Sequence, residues 1–80
     1  MTTQNLIDQV AREFGYFSVR CLHHPECGYS HGCRDSYRTL LTSYLPSAKG
    51  SERRRVGDVI RHAMASYKRG LAEAAAHKAA

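Results

Sequence analysis

Thirteen consecutive residues hold most of the side chains in this sequence that can ligate a metal. Cys21 to Cys33 reads Cys-Leu-His-His-Pro-Glu-Cys-Gly-Tyr-Ser-His-Gly-Cys, with all three cysteines and three of the five histidines of the chain. Five residues separate Cys21 from Cys27, and five separate Cys27 from Cys33, with His23, His24 and His31 in the gaps. Thiolate and imidazole are the donors of structural zinc sites, which take four of them tetrahedrally at about 2.0–2.3 Å. An odd number of cysteines cannot pair fully within one chain, whereas three thiolates and one imidazole complete a zinc site. The expected ligands are Cys21, Cys27 and Cys33 with His31. His23, His24 and His62 are alternatives for the fourth place, and His62 would tie a distant helix to the site. Gly28 and Gly32 permit the close turns that such a knuckle needs, and Pro25 restricts the chain between the first two cysteines. The other use of these cysteines is as reduced thiols packed like small hydrophobes.

A catalytic zinc keeps an open position and has a carboxylate base beside it. Glu26 is the one acid within the run, and no His-Glu-x-x-His pattern occurs, so the expected zinc is structural. Cys33, ahead of Arg34 and near the start of a predicted helix, is the candidate nucleophile, since both features lower a thiol pKa. Eighty residues leave little room for a substrate pocket, and there is no phosphate-binding glycine loop. No enzymatic activity is expected.

Part of the run resembles the latter half of a CCCH zinc finger, C-x7-9-C-x5-C-x3-H. The matching residues are Cys21-x5-Cys27-Gly28-Tyr29-Ser30-His31-Gly32, including the aromatic Tyr29 two positions after the cysteine. The resemblance implies that Cys21, Cys27 and His31 bind zinc. It also implies single-stranded RNA as a ligand, with Tyr29 stacking on a base. The finger's first cysteine has no counterpart at residues 11–13, and Cys33 would take its place.

The elements that must position this run read as helices. Leu6, Ile7, Val10, Ala11 and Phe14 form one stripe at helical period, predicting a helix over residues 3–14 that Gly15 closes. Tyr16-Phe17-Ser18-Val19-Arg20 is aromatic and β-branched, predicting an extended segment over 16–20. The zinc knuckle then occupies 21–33. Tyr37, Leu40, Leu41, Tyr44 and Leu45 predict a second helix over 35–45, capped by Asp35 and stopped by Pro46. Val56, Val59, Ile60, Ala63, Met64, Tyr67 and Leu71 share one arc of a third helix over 51–77. The expected fold is all-α: one small three-helix domain over residues 1–80, with the knuckle between helices 1 and 2. A domain of this size buries a marginal core, and a metal is one way to supplement it.

The chain carries a formal charge of +5. Residues 1–33 hold two basic and three acidic side chains; residues 34–80 hold ten and four. On the third helix Arg54, Arg61 and Lys68 recur every seven residues, forming a strip away from the apolar arc. Arg53, Arg55 and Arg69 flank it, and Tyr67 lies close by. Such a strip suits an acidic or amphipathic face of a larger protein, with Arg and Tyr as the residues that carry most interface energy. The expected function is therefore a non-enzymatic, zinc-stabilised helical module that binds and modulates a larger protein. The alternative is a regulatory protein that binds single-stranded RNA or DNA, the same cations meeting phosphates. A homodimer through the third helix is compatible with either. The first residues lack a basic stretch followed by an apolar run, and no apolar run is long enough to span a bilayer. A cytoplasmic location without membrane partners is expected.

Overall fold

The spacing of Ile7, Val10 and Phe14 does not stop at Gly15. Phe17 and Cys21 continue it at i+10 and i+14, the period of a helix face that stays turned to one neighbour. In the computed structural model, which describes residues 3–79, the first helix α1 accordingly runs Thr3–His23, 21 residues. The extended segment expected over 16–20 is helical throughout. Tertiary burial overrides the β-preference here: Phe17 and Val19 are both buried in the helix. Gly15 does not end the helix either, and no glycine among the described residues has a positive φ.

Pro25 ends α1, because the residue before a proline is pushed out of the α region. His24 N–H still reaches the Arg20 carbonyl at 2.8 Å, and Cys27 N–H closes the turn on the His24 carbonyl at 3.0 Å. Arg20 and His23 in the last turn complement the helix dipole. Cys27, with extended backbone (φ −83°, ψ 97°), is the N-cap of α2, Gly28–Tyr44. This helix begins seven residues before Asp35. The knuckle expected over 21–33 is thus one short turn, residues 24–27, between two helices that absorb the rest. The physical reason is again a burial stripe: Ser30, Tyr37 and Leu41 turn one face of α2 to α1, with Ser30 and Leu41 buried.

A 3₁₀ turn, Leu45–Ser47, holds Pro46 and leads to α3, Gly50–Ala79. The third helix matches the sequence expectation within two residues at each end. Its 30 residues account for the long dimension of the molecule, 48 Å, at 1.5 Å per residue.

The three helices run up, down and up, with α1 in the middle. Asp8 pairs with Arg55, Gly15 faces Ile60 and Ala63, and Tyr16 packs on Tyr67, so α1 and α3 are parallel. Arg20 reaches Ser30 and Phe17 stacks on Tyr37, so α1 and α2 are antiparallel. Ala11, Leu41 and Val56, one from each helix, are the buried centre, with Ile7, Val10, Phe14, Leu45, Val59 and Ile60 around them. Leu40, expected on the buried stripe of helix 2, is 53% exposed, whereas its neighbour Leu41 is buried. Since Tyr67 is level with the last turns of α1, the end of α3 projects past its neighbours, and residues 72–78 are exposed. No helix of the described residues is long and apolar enough to cross a membrane.

Candidate functional site

The cysteine-histidine run is distributed over two helices and a turn. Cys21, in the last turns of α1, is buried, as a small hydrophobe would be. Cys27 caps α2 and accepts a hydrogen bond from the Ser30 hydroxyl at 3.2 Å. Ser30, fully buried, itself accepts one from Arg20 Nε at 2.9 Å. The Ser30 hydroxyl, then the first amides of α2, and the Arg20 guanidinium favour the thiolate and hold the Cys27 pKa below the ordinary thiol range, although burial opposes them. The Arg20 pKa is raised, chiefly by its interaction with the Tyr67 hydroxyl of α3. Arg20 thus joins all three helices.

The other members of the run go elsewhere. His31 Nε2 lies 2.8 Å from the Pro25 carbonyl. Cys33 lies against Tyr29 and raises the pKa of its hydroxyl. His23 ends α1 exposed, and His24 faces Glu26 at 4.0 Å. Among the described residues no group of three Cys, His, Asp or Glu side chains is arranged to hold a metal ion. The expected donors Cys21, Cys27, His31 and Cys33 are spread over the end of α1, the turn and the first turns of α2. His62, the distant alternative, lies on α3 facing a groove against α1.

The basic residues of α3 divide into tied and untied. Arg55 is tied between Asp8 of α1 and Glu52. Arg61 pairs with Asp58 one turn before it. Arg53 donates to the Ala48 carbonyl at 3.0 Å, and Arg69 to Ser66 at 3.1 Å. Arg54 and Lys68 are exposed, and no ion pair holds them among the described residues. Tyr67 packs edge-to-face on Tyr16 at 4.7 Å between ring centres. Tyr29, the expected stacking residue, is 74% exposed.

The sequence did not point to a groove of about 820 Å³ between α1 and α3. Val59, Ala63 and the rings of Tyr16 and Tyr67 supply its apolar surface. Arg12 and Glu13 edge it on α1; Arg55, Asp58, His62 and Ser66 edge it on α3. Its α3 positions, 55, 58, 59, 62, 63, 66 and 67, follow i, i+3, i+4, i+7, i+8, i+11, i+12, one continuous face of the helix. Part of that face belongs to the arc predicted as core. It stays open because Tyr16 brings α3 alongside α1 on one side only, a relation that no local pattern announces.

Searches of protein-family models, of curated proteins and of solved structures give no match to this chain.

Proposed function

We propose that this protein is a non-enzymatic helical module that binds a larger protein through α3. The observation that carries this reading is what α3 leaves uncovered. One side presents Arg54, Arg61 and Lys68, and another side borders a groove with accessible aromatic surface from Tyr16 and Tyr67. Tyrosine and arginine beside an apolar trough are the composition of protein interfaces. Nucleic acid is less well served. Phosphates would have to displace Asp58 from Arg61, and Asp8 and Glu52 from Arg55, leaving Arg54 and Lys68 as the free cations of the strip.

The test places a photo-crosslinking side chain at Arg54, at Lys68 and, as a control, at Ser36 on the exposed side of α2, in cells that make the protein. A discrete adduct with a different protein from the two α3 positions, and none with a different protein from Ser36, is the expected result. A gel shift with single-stranded RNA or DNA that weakens steeply with salt, and no protein adduct, would give the surface to nucleic acid instead.

A further inference from the structure

We infer that one side of α2 pairs with the same side of a second copy of this chain, the two α2 helices lying antiparallel across a two-fold axis. Tyr29, Cys33, Ser36, Tyr37, Leu40 and Tyr44 recur at i, i+4, i+7, i+8, i+11 and i+15, so they share one side of the helix. The stripe runs nearly the whole of α2, about 25 Å at 1.5 Å per residue. Tyr29, Ser36 and Leu40 are exposed, and Cys33, Tyr37 and Tyr44 half-buried. No charged side chain belongs to it. Arg34, Asp35 and Arg38 stand elsewhere on the helix and pair with one another. The rings are held in place before any contact forms: Phe17 packs on Tyr29 and Tyr37, and the Tyr44 hydroxyl donates to Glu52.

Two observations select a second copy as the occupant. The first is symmetry. Tyr29 and Tyr44, Cys33 and Leu40, and Ser36 and Tyr37 lie equally far from the midpoint of the stripe, so it presents a similar pattern from either end. A two-fold interface requires this, because whatever residue i meets on the other copy meets residue i in return. Laid antiparallel on itself, the stripe sets ring against ring at both ends and the small Ser36 beside a ring in the middle. The second observation is charge. Each copy carries +5, concentrated on α3, which lies across α1 from α2. An uncharged stripe on α2 lets two such copies meet without bringing their basic helices together. A single helix face is smaller than the ~800 Å² per partner of a standard interface, so the pair is expected at micromolar concentration. The inference goes beyond the partner-binding reading and does not depend on it, since both α3 helices stay outside the pair.

The test is sedimentation velocity of the full chain from about 5 to 500 μM, a range that brackets a micromolar dimer. A monomer–dimer equilibrium is expected, and it should tighten as salt is raised, because salt screens the repulsion between like-charged copies. Leu40→Lys, at an exposed position, should weaken association at least about tenfold with circular dichroism unchanged. Thr39→Lys adds the same charge off the stripe and should stay within about twofold of the parent. Leu40→Cys reads the register. Positions 33 and 40 of one chain are about 10 Å apart along the helix, beyond disulfide reach, whereas position 40 faces Cys33 of the other copy. Under oxidised glutathione that variant should give a disulfide-linked dimer through Cys33, and the parent and Thr39→Cys should not. A chain that stays monomeric throughout overturns the inference. So does a dimer that Leu40→Lys leaves intact, or one that loosens with salt, as a pair held by ion pairs through α3 would. A Ser36 crosslink to a different protein would give the stripe to that partner and overturn it as well. Crosslinks at Arg54 and Lys68 stand or fall separately from all of these.

Discussion

The central helix meets its two neighbours by different means. Against α3 it presents Ala11 and Gly15, and the fit depends on how little side chain stands between the backbones. An added Cβ at Gly15 would lie 2.8 Å from the Ile60 carbonyl oxygen and 3.0 Å from the Ala63 Cβ. Against α2 it presents Phe17, whose ring lies 6.0 Å from Tyr37 and 6.1 Å from Tyr29, and the Arg20–Ser30–Cys27 relay. The first seam is close backbone packing between segments some 45 residues apart. The second is rings and polar contacts between segments joined by a four-residue turn. Both seams carry directional contacts, Asp8–Arg55 and Arg20–Tyr67 across the first and Arg20–Ser30 across the second, but only the second has a short tether and only the first brings backbone against a glycine.

The volume argument makes Gly15→Ala the most damaging of the small changes. Alanine gains about 1 kcal/mol of helix propensity over glycine. Overpacking costs about 1–3 kcal/mol, and here the obstacle is a backbone carbonyl that cannot turn aside as a side chain would. The larger cost prevails, and the variant is expected to lose about 1–2 kcal/mol net, read as a lower urea midpoint at unchanged slope. A Gly15→Ala protein at least as stable as the parent would show that α3 is not held by close approach, and the contrast between the seams would fail.

The α2 seam is tested at Ser30. Ser30→Ala removes the acceptor of Arg20 Nε and the donor to Cys27 at a buried position, and the lost hydroxyl is expected to cost about 1 kcal/mol. It also has a signature that a packing defect lacks. Because folding lowers the Cys27 pKa, the thiolate stabilises the fold above the ordinary thiol pKa. That contribution is lost as pH falls through the lowered value. The urea midpoint of the parent should therefore rise with pH across this window, and that of Ser30→Ala should rise less. Iodoacetamide should label Cys27 more slowly in the variant near pH 7, since its thiol moves back toward the ordinary range. An unchanged labelling rate would mean that the Ser30 hydroxyl does not govern the sulfur.

How far these seams could be read from the sequence follows from where their causes lie. The third helix was legible because its stripe, from Val56 through Ile60 and Ala63 to Tyr67, is a local pattern, and Gly50 to Ala79 contains nothing that stops a helix. The stripe Ile7, Val10, Phe14, Phe17, Cys21 was equally periodic. It was hidden by a glycine that reads as a terminator and by a β-branched, aromatic segment that reads as extended. Gly15 is there for α3, which arrives 45 residues later, and no window around residue 15 contains that fact. Spacing along the chain does not say which element each cysteine and histidine of the run belongs to. The structure puts Cys21 in the packing of α1, Cys27 at the N-cap of α2 and His31 at the Pro25 carbonyl. The groove was beyond the sequence for the same reason as Gly15. Arg12 and Tyr16 on α1 and His62 on α3 become neighbours only once the two helices lie parallel.

The smallest effect gives the sharpest check on the comparison, because it uses the same substitution with the opposite sign. Gly32 is helical in α2 and exposed, and a Cβ built there meets nothing within 4 Å. Gly32→Ala therefore incurs no overpacking and retains only the backbone term, in which alanine restricts the unfolded chain more than glycine does. It is expected to stabilise the protein by about 0.5–1 kcal/mol, seen as a higher urea midpoint at unchanged slope. Two glycines in two helices of one chain should thus respond to one added methyl in opposite directions, decided by whether another backbone lies against them. Destabilisation by Gly32→Ala comparable to that at Gly15 would mean that helical glycines here serve a conformational need common to both sites, and that the proximity of Ile60 to Gly15 is incidental.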